Sequence, residues 1–287
     1  MSLIFADKYK IINKIGEGSF GTIFSGLNIN SNESVAIKID ELTDRIVLKN
    51  EARIYNYLSG ISGIPKLYNF GNQGKYNYLI IELLGHSIEH YRVLCDGTFN
   101  LQTVLVLGLQ MIKRIECVHN MGIIHRDVKP DNFLMGIEKN SHTLYLIDFG
   151  LSKLFMNDNK HIEECCDRKI IGTTLYASIN IHNGLSPSRR DDLESIGYTL
   201  VYLLTGILPW SNITEETKEL KNIKIGEIKK TYNFWNNKDI PGEFIIFINY
   251  TRTLKYEETP DYLYLKNLLL ILYKHHNFNA DNNYMWM

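Results

Sequence analysis

Residues 125–133 read HRDVKPDNF, which gathers His, Arg, Asp, Lys, Asp and Asn into one short stretch. A run this polar would serve as an ordinary loop, but GII (122–124) before it and FLM (133–135) after it are apolar triplets that read as short strands burying its ends. A further apolar strand, within LYLIDFG (144–150), ends in Asp148. Strands that deliver Asp127, Asn132 and Asp148 to one place would suit magnesium and a phosphoryl donor. Mg2+ prefers a few carboxylate and amide oxygens and takes its remaining ligands from water and phosphate. Phosphoryl transfer asks a protein chiefly for positioning and charge neutralisation. In that chemistry Asp127 orients the acceptor hydroxyl and accepts its proton, Lys129 neutralises the transferring group, and Asn132 and Asp148 hold the metal.

The phosphates need a second set of groups. GEGSFG puts glycines at 16, 18 and 21, the G-x-G-x-x-G spacing. Alone it also fits a dinucleotide fold, but that fold requires a helix after the last glycine. Here Gly21 is followed by TIFSG, a turn and the strand pattern VAIKI. The loop therefore reads as the tip of a hairpin that folds over phosphates with its backbone N–H groups. Lys38 lies inside VAIKI, near the end of the second following strand, from which an ammonium reaches those phosphates; the alternative is a surface lysine. A buried lysine needs an anion to keep its charge and direction. Glu51, in the helical stretch LKNEARIYNYL, is the candidate, although a helical glutamate is usually solvated.

The set GxGxxG, VAIK, a helical Glu, HRDxKxxN and DFG, in this order, is the protein-kinase signature. SGIPKLYNFG, IELLGHSIE, VHNMGIIHRDVKPDNFLMG, YASIN and SRRDDLESIGYTLVYLLTGILPW resemble the casein kinase I family more closely still. The resemblance runs from about Tyr9 to His276. It implies an α+β, bilobal protein-kinase fold, with a small β-rich N-lobe over 1–84 and a larger, mainly helical C-lobe over 85–287. It also implies ATP with Mg2+ as cofactors, and transfer of the γ-phosphoryl group to serine or threonine of proteins, in an acidic context. By the same resemblance Gly16, Glu17, Gly18, Ser19, Phe20 and Gly21 form the phosphate-covering loop. Ile15, Ile23, Ala36, Leu134 and Ile147 match positions that sandwich adenine. Glu82 and Leu84 match the hinge whose backbone groups bond it, and Ile81 takes the gatekeeper place. Apolar residues at these sites would equally serve a plain core, and for Ile147 the two readings balance.

GTTLYASINIHNGLSPSRRDD (172–192) mixes hydroxyls, paired arginines and paired aspartates, the composition of a solvated loop or of a surface that grips a partner. The resemblance makes it the substrate-facing end of an activation segment that begins at Asp148. Ser178-Ile179-Asn180 stands where most kinases carry A-P-E, itself a mark of the casein kinase I family. Asp192 matches the helix aspartate that ties down the catalytic loop, and an acidic helix start also suits the dipole. Leu175 departs from the family, which has arginine there. An arginine fork takes phosphate oxygens bidentately and leucine cannot, so weaker dependence on a pre-phosphorylated substrate is expected. Arg126, Arg168, Lys169, Lys221 and Lys224 remain candidates for an anion site, with Lys221 and Lys224 equally readable as a solvated face. Glu163, Glu164 and Asp167, or a bound anion, are candidates to partner Arg126 in place of a phosphorylated Ser152, Thr173 or Thr174.

The elements that must position these groups are legible in outline. The first 80 residues are β-rich and punctuated by turns, RIVLKNEARIYNYLSG has helical spacing with a glycine stop, and YNYLIIELLG reads as a buried strand. A short extended connection follows near 82–87, and a cleft between a β-rich and a helical lobe is a natural ligand site. LQTVLVLGLQMIKRIECVHNMG, LESIGYTLVYLLTG and PDYLYLKNLLLILYKHH then show apolar residues at threes and fours. The formal net charge of −1 offers no bulk attraction to nucleic acid or anionic membrane. Cys95, Cys117, Cys165 and Cys166 lack metal-ligand spacing and read as reduced thiols of an intracellular protein, cytoplasmic or nuclear. MSLIFADKYK lacks the form of a secretion signal, and LLLILY is too short to span a bilayer. The expected molecule is a monomer that acts on proteins and binds neither nucleic acid nor membrane. Lys38, Asp127 and Asp148 are all present, which argues against a binding-only pseudokinase, and the long 172–192 region argues against a small-molecule kinase.

Overall fold

The computed structural model describes residues 3–18, 21–41, 47–158, 160–166, 169–278 and 284–287. The chain forms two compact units, one of residues up to Gly85 together with Leu134–Ser152, the other of His86–Phe133 together with Lys153 onward. The expected α+β composition holds: the first unit is β-rich and antiparallel, the second mainly helical.

The first unit is built on a six-stranded sheet whose strands are β1 (Ile4–Phe5), β2 (Tyr9–Gly18), β3 (Gly21–Asn28), β4 (Ser34–Glu41), β5 (Leu67–Gln73) and β6 (Tyr76–Glu82), in the order β1-β2-β3-β4-β6-β5. Helix α1 (Val47–Tyr57) belongs to the same unit. β2 and β3 form a hairpin with Gly18 opposite Gly21, as the glycine spacing predicts; Ser19 and Phe20 lie outside the described residues. Gly21 has φ +131°, and a Cβ there would come within 2.3 Å of the Ile39 carbonyl oxygen, so only glycine fits. Along β4 the side chains alternate. Val35, Ile37 and Ile39 enter a core with Phe5, Tyr9, Tyr78 and Ile80, which leaves Ala36 and Lys38 to the opposite face.

The division at residue 84 needs an amendment. Leu134–Ser152 packs with the first unit although it follows the helical region in sequence. The Leu146 N–H donates to the Gly63 carbonyl at 2.9 Å. Phe149 meets Tyr55 of α1 edge-on, with ring centroids 5.1 Å apart. A boundary drawn along the sequence has no way to express a returning segment.

The second unit carries α2 (Ile88–Leu94), α3 (Leu101–Asn120), α4 (Ile179–His182), α5 (Arg189–Thr205), α6 (Lys218–Thr231), α7 (Gly242–Thr253) and α8 (Tyr262–His275). α5 is its centre, buried continuously from Arg190 to Val201 and packed on α3 and α7. It starts four residues before the apolar pattern LESIG because the Asp191 carboxylate accepts from the Ser188 N–H at 2.7 Å, the carboxylate half of a capping box. A Cβ on Gly108 of α3 would come within 2.8 Å of Leu200 and 2.9 Å of Leu269, so this glycine sets how closely α3 meets α5 and α8. Among the described residues no helix is long and apolar enough to cross a membrane, and all four cysteines are free thiols.

Candidate active site

In the first unit Lys38 meets Glu51 at 2.7 Å and Asp148 Oδ1 at 3.2 Å. Glu51 sits on the buried face of α1 with Leu48, Ala52 and Tyr55, so the helical spacing that predicted α1 also aims the carboxylate inward. Burial alone would lower the Lys38 pKa, but the two carboxylates overcome it and raise it above the ordinary lysine value. Burial pushes Glu51 up to about 7 against the pull of Lys38. An ammonium has three N–H donors; two are directed at carboxylates, and a third remains for an anionic oxygen. Asp148 has a left-handed backbone, φ 65° and ψ 70°, a conformation that non-glycine residues adopt under constraint. Its N–H donates to the Tyr55 hydroxyl at 3.1 Å, a partner that the sequence did not disclose.

The other nucleotide candidates lie in this unit too. Ala36 is 9 % exposed and paired across the sheet with Ile81, while Ile23 pairs with Lys38. Ile23, Ile81, Leu84, Leu134 and Ile147 are half-buried and Ile15 is 53 % exposed, unlike the core residues Val35 and Ile37, which are fully buried. Gly16 pairs with Ile23, and the exposed Glu17 side chain pairs with Lys14 at 2.6 Å, which leaves the Glu17 backbone as its contribution to the loop. The Glu82 carboxylate accepts from the Lys66 N–H at 3.2 Å.

In the second unit Asp127 is 8 % exposed and heavily engaged. Its Oδ1 accepts from both the N–H and the hydroxyl of Thr173 at 2.8 Å. Its Oδ2 lies 2.8 Å from Lys129 and 3.3 Å from Asn132 Nδ2. Lys129 also donates to the Thr173 hydroxyl at 3.1 Å. Asn132 Nδ2 donates to the Asp127 carbonyl at 2.8 Å, so its amide nitrogen faces the loop and its Oδ1 is the atom left for a metal. Thr173 was read from sequence only as a possible phosphorylation site; here it touches both Asp127 and Lys129.

The loop is held from beneath by Asp192. Its Oδ2 accepts from the His125 N–H at 2.7 Å and from His119 Nε2 at 2.9 Å, and its Oδ1 from the Arg126 N–H at 2.8 Å. Burial favours the neutral acid, but His119 and the other donors reverse that and hold the Asp192 carboxyl below its ordinary pKa. Burial keeps His119 neutral. Nε2–H therefore donates to Asp192, while Nδ1 accepts from the Tyr262 hydroxyl at 2.7 Å. Arg126 itself has φ 71°, and Gly172, φ +84°, crosses so near that a Cβ would lie 2.4 Å from the Arg126 carbonyl oxygen.

Among the anion-site candidates, Arg126 and Lys169 line a cavity of about 260 Å³ together with Asp127, Glu163 and Thr173. Glu164 pairs with Arg190 at 2.7 Å. Lys224 is exposed beside Glu227 at 3.8 Å, and neither it nor Lys221 lines that cavity. Asp167 and Arg168 lie outside the described residues. Among the described residues no three His, Cys, Asp or Glu side chains gather as a metal cluster. Mg2+ shared with phosphates needs only one or two protein oxygens, and the Asp148 carboxylate and the Asn132 amide oxygen are donors of that type. A family model described as protein kinase domain matches residues 9–259.

Proposed function

This chain belongs to the protein kinase family, and we propose that within it the chain is a serine/threonine kinase of casein kinase I type. Family membership makes it an ATP-using phosphotransferase whose substrates are proteins. The observation that carries the finer reading is the cluster of Asp127, Lys129 and Thr173, every pair of which is in contact. The Ser178-Ile179-Asn180 motif supports the subfamily. The Ser178 hydroxyl donates to Asp191, and the Ile179 N–H donates to Glu194 at 3.2 Å, so the motif is tied to α5.

ATP with Mg2+, when bound, supplies an electrophilic phosphorus and a leaving group whose charge is already partly neutralised. On this reading Asp127 orients the acceptor hydroxyl and takes its proton, the hydroxyl displacing one of the donors that now fill the carboxylate, of which Asn132 Nδ2 at 3.3 Å is the longest. Lys129 neutralises charge on the transferring group. Lys38, directed by Glu51, binds phosphate oxygens with its remaining N–H, and the backbone of Gly16–Gly21 covers them. Asn132 and Asp148 would hold the metal. Ile15, Ile23, Ala36, Ile81, Leu134 and Ile147 enclose the adenine, bonded by the backbone of Glu82 and Leu84. Arg126 and Lys169 are the cations offered to acidic sequences, in a cavity they share with Asp127 and Glu163, and the enzyme works as a monomer.

The test is radiolabelled phosphoryl transfer from ATP to casein and to acidic serine peptides. Asp127→Asn and Lys38→Met should each lower the rate by about 100-fold or more, the scale of a positioned proton acceptor. Rates equal to the wild type would overturn the reading.

A further inference from the structure

Lys229 of α6 is 0 % exposed, yet it belongs to none of the groups placed around ATP or the acceptor hydroxyl. Its Nζ donates to the Thr174 carbonyl at 2.8 Å and the Ala177 carbonyl at 2.5 Å, and lies 3.3 Å from His182 Nε2. His182 Nδ1 is 3.1 Å from the Asn222 carbonyl, which can only accept. His182 Nε2 also lies 3.3 Å from the Thr174 carbonyl, so the imidazole bridges the Asn222 and Thr174 carbonyls beside the lysine. Burial, helped by the neighbouring charge of Lys229, pushes His182 down to about 4, which fixes it as the neutral partner this arrangement needs. Burial holds the Lys229 amine well below the ordinary lysine pKa, and in either protonation state Nζ has the two N–H donors that the Thr174 and Ala177 carbonyls take. The aliphatic stem ends between aromatic faces, with the Tyr198 ring at 4.9 Å and the Trp210 ring at 5.0 Å from Nζ. Trp210 adds its own bond to the same loop, Nε1–H donating to the Leu175 carbonyl at 2.8 Å.

The carbonyls of Thr174, Leu175 and Ala177 are therefore all gripped by two side chains. This short segment begins at Thr173, which is bonded to Asp127, and Thr174 and Leu175 remain only half-buried. A buried lysine is expensive in desolvation, and an apolar side chain of similar length is commonly neutral or better for stability in such a place. What an apolar side chain lacks is donors for the two carbonyls. We propose that Lys229 is a substrate-positioning residue, whose Nζ donors fix the 173–177 backbone as the ledge on which the peptide flanking the acceptor hydroxyl docks. This rests on the reading of that segment as substrate-facing.

The test separates docking from chemistry. Lys229→Met should raise KM for a serine peptide about tenfold while kcat and KM for ATP move less than twofold. Trp210→Phe, which loses one donor, should raise the peptide KM about threefold with the same selectivity. Thermal unfolding of both variants is recorded alongside. A folded Lys229→Met enzyme whose peptide KM stays within twofold of wild type overturns the proposal, as does an equal rise in KM for peptide and ATP. If Lys229→Met does not fold, Trp210→Phe decides by itself, and an unchanged peptide KM overturns the proposal. Failure of the kinase reading is visible separately, as wild-type protein that transfers no phosphate to the peptide.

Discussion

Replacing Asp192 by alanine removes an acceptor of three hydrogen bonds, two from the loop N–H groups of His125 and Arg126 and one from His119 of α3. Asp192 is 3 % exposed and His125 fully buried, so water cannot readily take its place. A hydrogen bond to a charged group contributes about 1.5–3 kcal/mol, and breaking one side of a buried charged network costs about 3–5 kcal/mol. We take about 4 kcal/mol, because local relaxation recovers part of the sum. For a protein of this size that corresponds to a Tm lower by about 7 °C. The effect on activity follows from Arg126, whose left-handed backbone at φ 71° is held by one of the lost bonds. Such a conformation stores about 1–3 kcal/mol of strain. Once released, the residue relaxes and Asp127, its neighbour, moves with it. A displacement near 1 Å costs about 100-fold in rate, so kcat should fall by about that factor. Because the Asp192 carboxyl is held below its ordinary pKa, its contribution is complete at neutral pH and fades as pH falls through and below the ordinary 3.8 of an aspartate. The assay pairs calorimetry with steady-state peptide kinetics at pH 7.5. A folded Asp192→Ala enzyme with kcat within threefold of wild type, or a Tm within 3 °C, refutes the reasoning.

Gly172→Ala would put a Cβ 2.4 Å from the Arg126 carbonyl oxygen at a φ of +84°; kcat should drop at least tenfold, checked by the same kinetics on protein shown to be folded. Leu175→Arg restores a bidentate phosphate fork beside the acceptor site, so the ratio of kcat/KM for a pre-phosphorylated over an unphosphorylated peptide should rise about tenfold or more; an unchanged ratio counts against the role given to Leu175. His182 titrates at about 4 in the folded protein against an ordinary 6.5. The unfolded chain therefore takes up its proton first, and stability drains away as pH falls from about 6.5 towards 4. His182→Gln should flatten the decline of Tm between pH 7 and pH 5 measured in parallel with wild type.

The groups proposed to perform chemistry stand out in the sequence because chemistry restricts both their type and their spacing. Asp127, Lys129 and Asn132 fall within a few positions of one another, so a local pattern was enough to bring them together. Glu51 was inferred from the need of a buried lysine for an anion, and the two meet at 2.7 Å. The start of α5 was also written locally, in Ser188 and Asp191, a capping-box spacing of hydroxyl and carboxylate hidden behind the more conspicuous apolar run. What stayed illegible was how these groups are aimed. Thr173 reaches Asp127 across 46 positions, Tyr55 reaches Asp148 across 93, His119 reaches Asp192 across 73, and Lys229 reaches Thr174 across 55. None of these supporting residues is demanded by a motif, because any donor of suitable length on the right helix face would serve. Their assignment depends on which faces α1, α3, α5 and α6 bury, and α6 mixes apolar residues with many lysines and glutamates, too weak a periodicity to reveal its buried face in advance. Residue type therefore announces the reaction, whereas the precision of the reaction depends on side chains that only the assembled fold identifies.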